Sequence, residues 1–81
     1  MLHIQILSPT ATLYEGEVQY AVFPGAKGGF EVHQDHAPII SSLVQGKIRC
    51  VLGKENKEEI VDIKSGFVEV NDNKIMVCVE Q

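Results

Sequence analysis

The chain has 81 residues and a formal charge of −4. That length holds one small domain, with a thin core and no deep substrate cleft. The acidic balance argues against nucleic acid as a partner, since phosphate binding needs a basic patch, and every apolar run falls far short of the ~20 residues that cross a bilayer, so direct membrane insertion is not expected.

The N-terminal "MLHIQILSPT" has neither a basic start nor a long apolar segment, so it does not read as a signal peptide. It reads as a strand: Leu2, Ile4 and Ile6 alternate with His3 and Gln5, a period of two that puts each set on one side of a sheet. "SPT" then supplies a turn, and "EGE" (15–17) marks a bend or bulge. Val18, Tyr20 and Val22 alternate with Glu17, Gln19 and Ala21 in a second run.

The densest stretch follows, "FPGAKGGFEVHQDHAPIISSLVQG" (23–46). Its glycines tolerate positive φ. Within it "APIISSLV" is the one helical candidate of the chain, a short turn starting at Pro38. Further on, Ile48, Cys50 and Leu52 alternate with Lys47, Arg49 and Val51, and "GKENKEE" (53–59) reads as a polar hairpin tip. "KSG" (64–66) and "VNDNK" (70–74) read as tight turns, the second suited to a two-residue hairpin. Val68 and Val70 flank Glu69, and Ile75, Val77 and Val79 alternate with Met76 and Cys78.

Several of these runs are apolar on both sides, so parts of both sheet faces must be covered. The expected fold is all-β: a small two-sheet sandwich or flattened barrel of short, mostly antiparallel strands, forming one domain over residues 1–81. The expected core is Leu2, Ile4, Ile6, Val18, Val22, Ile48, Leu52, Val68, Val70, Val77 and Val79. Cys50 and Cys78 are too far apart for a redox pair or zinc ribbon and lie in strand-like runs, so they read as reduced packing residues of a cytosolic protein, with a disulfide the alternative.

"HQDH" places His33 and His36 three apart around Asp35. On a helix that spacing would bring two imidazoles together for zinc. At a strand end they fall on opposite sides, and no metal is expected. "GAKGG" lacks the lysine–serine ending and the following helix of a phosphate loop, and "ISSL" lacks the glycines of a nucleophile elbow. No cofactor, catalytic residue or ATP site is expected. "NDNKIM" sets Lys74 beside a hairpin turn, as in lipoyl and biotinyl carrier domains, but Asn73 and Ile75 fit neither family's lysine motif. A freestanding carrier of that kind is the alternative function.

Four segments, in order and spacing, are similar to a known family. They are "LHIQILSPTATLYEGEV", with its Ser-Pro turn and L-Y-x-G-x-V; "FPGAKGGFEV", with P-G-x-x-G-x-F; "HAPIISSLVQGKIR", with H-A-P and L-x-x-G-x-I; and "IKSGFVEVNDNKIMVCVE", with G-F-V-E-V. Over essentially its whole length the chain resembles the N-terminal β-sandwich domain of the epsilon subunit of the rotary ATP synthase. It departs at Glu31, where the family usually has glycine, at Gln34-Asp35, where it usually has Pro-Gly, and at Lys64-Ser65-Gly66, where a double glycine is common. These departures bear on the conformation and charge of the 28–36 loop. The C-terminal helical hairpin that typically follows in the family, with its Asp-Arg-Ala motif, has no match before Gln81.

The resemblance implies a subunit without chemistry of its own. It would be part of a hetero-oligomeric complex, docking the gamma subunit onto the c-ring at the foot of the central stalk and coupling proton flow to ATP synthesis. It would sit peripherally on the cytoplasmic side of a bacterial inner membrane. By motif position Gly28, Gly29, Phe30 and Glu31 would face the c-ring. Ser8, His36, Ala37, Pro38 and Ser41 would lie at the junction with gamma.

Overall fold

Among the described residues the chain forms nine strands: β1 (Leu2–Leu7), β2 (Thr12–Val18), β3 (Tyr20–Phe23), β4 (Phe30–Val32), β5 (Ile39–Leu43), β6 (Gly46–Leu52), β7 (Lys57–Ile63), β8 (Ser65–Asn71) and β9 (Lys74–Glu80). The structure, a computed structural model, describes residues 2–53 and 57–81. A five-stranded sheet has the order β2-β1-β9-β8-β5, and a four-stranded sheet the order β4-β3-β6-β7. The sheets stay separate, so of the two expected forms the chain adopts the sandwich. All pairings are antiparallel except β1 with β9, where His3 to Leu7 run beside Lys74 to Cys78.

The core lies between the inner faces. Leu2, Ile4, Ile6, Val18, Val68, Val70, Ile75, Val77 and Val79 come from the first sheet, and Ala21, Phe23, Val32, Ile48, Cys50 and Ile63 from the second. Each fully buried aliphatic side chain contributes about 1.5–3 kcal/mol of transfer free energy. Nine of the eleven expected core residues are buried; Val22 and Leu52 are only half-buried. Val22 fails because Val18 and Tyr20 do not belong to one strand. At Gln19 the chain bends out of the first sheet, its N–H donates to the Val51 carbonyl at 2.8 Å, and it enters the second sheet with the opposite phase. Ala21 and Phe23 therefore point inward, and Tyr20 and Val22 outward. Leu52 packs against the core from the strand end, beside Gly53.

Three other expectations are corrected. "APIISSLV" holds no helical turn: Ile39–Leu43 is an edge strand, because its β-branched pair and serines gain a full antiparallel ladder on β8 (Ile39 opposite Val70, Leu43 opposite Gly66). "KSG" is no tight turn but a passage between sheets, in which Lys64 N–H donates to the Glu80 carbonyl at 2.8 Å. Gly66 is demanded by close approach of β9, since a Cβ there would stand 2.5 Å from the Cys78 carbonyl oxygen. "EGE" forms no bend or bulge: Glu15, Gly16 and Glu17 pair in regular register with Gln5, Ile4 and His3, and the bulge lies at Leu13, where the register slips between Ile6 and Leu7, which face Tyr14 and Thr12. "VNDNK" forms the expected two-residue turn, with Asp72 and Asn73 at φ 51° and 60° between paired Asn71 and Lys74. The hairpin tip at 54–56 lies outside the described residues.

Cys50 is buried and Cys78 half-buried, and both are free thiols. Burial first, then the carboxylate of Glu59 facing it across the ladder, pushes the Cys50 thiol up to about 12.

Candidate functional site

The glycine-rich loop between β3 and β4 is fastened at its base. Gly28 N–H donates to the Gly25 carbonyl, Ala26 N–H to Ser42, and Val44 N–H to Pro24, so the loop is stapled to the end of β5. Gly25 cannot carry a side chain: a Cβ would lie 2.6 Å from the Gly28 oxygen and 2.8 Å from the Phe30 ring. Gly28, at φ 122°, has open space around it. Gly28 and Gly29 thus offer exposed backbone on a fixed base, while the Phe30 ring packs on Phe23 at 5.5 Å between centroids. Glu31 is exposed and takes a 2.9 Å contact from His33 Nε2. The His33 ring in turn stacks on Tyr20 at 4.7 Å. His33 and His36 accordingly have different partners.

The next segment turns at Asp35, whose φ of 64° is left-handed. This is a conformation that glycine adopts freely and other residues rarely. The aspartate is held in it from a distant part of the chain. Its N–H donates to Asn73 Oδ1 at 2.6 Å, and Asn73 Nδ2 donates to its Oδ1 at 3.1 Å. His36, half-buried, then donates from Nδ1 to the Ala37 carbonyl at 2.7 Å. A carbonyl can only accept, so Nδ1 carries a proton, and in the neutral tautomer this bond selects the lone pair lies on Nε2. Ala37 and Pro38 follow, both exposed, and Pro38 holds Ala37 extended at the entry to β5.

The remaining expected site residues are dispersed. Ser8 closes its own turn, bonding Ala11 through backbone and hydroxyl. It follows the far end of β1, about 20 Å of strand from the β8–β9 turn that holds Asp35. Ser41 faces inward on the edge strand, its hydroxyl donating to the Ser42 carbonyl at 3.1 Å. The Gly25 end of the loop and Pro38 flank opposite ends of β5. The structure therefore brings together His36, Ala37 and Pro38, and separately Gly28 and Gly29, with Glu31 on the short strand between.

Two features escaped the sequence reading. One is the Asp35–Asn73 bracket, which spans 38 positions and has no local signature. The other is the outer face of the five-stranded sheet, where Ile40, Phe67 and Met76 are exposed by 77%, 51% and 42%. Ile40 and Met76 flank Glu69 in one cross-strand row, and Phe67 lies opposite Cys78 in the next. Leu7, Pro9, Phe67 and Cys78 line a shallow depression there. Strands that are apolar on both sides were the signal for this face.

Fold and surface together define a small two-sheet β-sandwich that carries a braced loop face on a rigid frame. The family of the β-sandwich domain of the ATP synthase delta/epsilon chain matches residues 1–81, and this chain belongs to it. The ATP synthase epsilon chain of Leptospira borgpetersenii is 33% identical over 79 residues, 98% of this chain and 61% of that protein. That of Caulobacter vibrioides is 34% identical over 79 residues, 98% of this chain and 90% of the relative. The chain thus spans about three-fifths of the length of some curated relatives it matches. Among solved structures, a chain of the Euglena gracilis mitochondrial ATP synthase OSCP/F1/c-ring assembly superposes with a TM-score of 0.89 at 16% identity, over 99% of this chain and 51% of that one. A chain of the Tetrahymena thermophila mitochondrial ATP synthase central stalk/c-ring does so with 0.76 at 15%, over 99% and 63%. At those identities the likeness is one of fold.

Proposed function

We propose that this domain works as the sandwich of a central-stalk epsilon subunit, docking gamma onto the c-ring and coupling proton flow to ATP synthesis without catalytic residues of its own. The family match over the full 81 residues carries the reading. The surface supports it: exposed Gly28 and Gly29 let a partner approach the backbone, and His36 Nε2 accepts a partner's donor beside stiff, exposed Ala37 and Pro38. Among the described residues no helix is long and apolar enough to cross a membrane, consistent with a peripheral position on the cytoplasmic side of a bacterial inner membrane.

The test is reconstitution. Membranes carrying the ATP synthase but depleted of its epsilon subunit are supplied with the chain, and gamma co-purification and ATP-driven proton pumping are measured. Restored binding and coupling are expected. A chain that neither binds gamma nor changes pumping, or that carries a lipoyl or biotinyl mass increment on Lys74, overturns the reading.

A further inference from the structure

We propose that Asn73, acting through Asp35, is a positioning residue for the His36–Pro38 docking segment; the inference rests on the docking role proposed above. Asn73 commits its backbone carbonyl and its side-chain amide to other segments. Its carbonyl accepts from His3 N–H at 3.0 Å, tying the β8–β9 turn to β1, and its side-chain amide both accepts from and donates to Asp35. One end of the bracket is thus anchored between two strands paired along their lengths, β8 and β9. The other end lies in the chain between three-residue β4 and edge strand β5.

The hairpin does not require this side chain. A two-residue turn with both φ positive takes glycine at its second position at least as readily as asparagine. What the amide adds is the pair of bonds to Asp35. Asp35 has unfavourable left-handed backbone geometry, and the two bonds select it. His36 is the next residue, and its ring is fixed in turn by the Ala37 carbonyl. Asp35, His36, Ala37 and Pro38 are consecutive, so the backbone angle held at Asp35 sets where Nε2 and the exposed Ala37–Pro38 pair are aimed. Without the bracket the segment samples other angles, and apparent affinity falls by the fraction of time spent misaligned.

Asn73→Gly keeps the turn and deletes both bonds, and Asp35→Gly keeps the left-handed angle and deletes the carboxylate. The full chain and both variants are compared by thermal melting, by amide hydrogen exchange at 34–37, and by affinity for a purified gamma–c-ring subcomplex. The expected result for Asn73→Gly is a melting temperature within about 3 °C of the parent, exchange at 34–37 faster by roughly ten-fold, and an affinity loss of roughly ten-fold. The double variant should bind no more weakly than Asn73→Gly alone, because the two residues act as one unit. Unchanged exchange and affinity in Asn73→Gly overturn the proposal, as does an affinity loss that accompanies collapse of the melting temperature or adds in the double variant. If the parent chain does not bind the subcomplex, the docking role fails, and exchange at 34–37 alone decides whether Asn73 holds the segment.

Discussion

Raising the pH tests the packing around Cys50. Its side chain is 0% exposed, and burial, reinforced by Glu59, moves the thiol from 9.0 up to about 12. In the unfolded chain the thiol ionises near its ordinary value, so the folded state holds its proton more tightly. That contribution to stability is complete below pH 9.0 and is lost as pH rises toward about 12. Within the window the slope reaches roughly 1 kcal/mol per pH unit. Two units of alkalinity then remove roughly 2–3 kcal/mol, a large part of the margin of a small domain. Tyr14, raised above 10.0 by burial and then by Cys50 and Glu59, acts in the same direction at the upper end. The assay is urea unfolding at successive pH values for the parent and for Cys50→Ala. The variant loses about 1 kcal/mol near neutral pH through a small cavity. Because it has no thiol to titrate, the two stability curves should converge above about pH 9. Curves that stay parallel through two pH units would show that the thiol is solvated in the folded state, and the packing argument would fail.

Other outcomes follow from the same geometry. Val77→Ala, at a fully buried position of the central strand β9, should lower stability by about 1–3 kcal/mol in denaturant titration; a change near zero removes it from the core. Gly66→Ala forces a methyl to within 2.5 Å of the Cys78 oxygen and should cost at least as much by prying β8 from β9, seen as a lowered urea midpoint. His36→Ala and Ala37→Asp should weaken binding to gamma and the c-ring by more than about 1 kcal/mol, measured by affinity and by ATP-driven pumping. Glu58→Ala, which removes only a 3.6 Å exposed pair with Arg49, should be near neutral; uncoupling by Glu58→Ala and not by the 36–37 variants would move the docking face.

The β1 and β9 alternations could be read directly because each strand keeps one phase from end to end and its partners lie inside one sheet. Val22 was misplaced for the opposite reason. A single bend at Gln19 moves the chain between sheets and inverts the phase, and period-two counting carries no record of it. Ile39–Leu43 was ambiguous because five residues cannot separate a turn of helix from a strand; the ladder on β8 decides. The loop residues are assigned by motif position alone, and the sequence could not show that Ser8 lies at the far end of β1 from His36. Nor could it show Asp35 taking up a glycine-like angle with help from Asn73. Both are consequences of strand order, which local patterns do not encode.

Of the strands described, β9 comes last in sequence yet is the middle strand of the larger sheet, with β1 on one side and β8 on the other. During synthesis on a ribosome, β2–β1 and β5–β8 can form as separate ladders, each with an unsatisfied inner edge, and they cannot join until residues 74–80 emerge. Assembly of the larger sheet therefore waits for residues 74–80, and the high sequence separation of the β1–β9 pairing slows it further. A nascent chain arrested before Lys74 would expose the free flanks of β1 and β8, edges that invite pairing with a neighbouring polypeptide. This seven-residue strand therefore joins the two ladders and covers both of those edges.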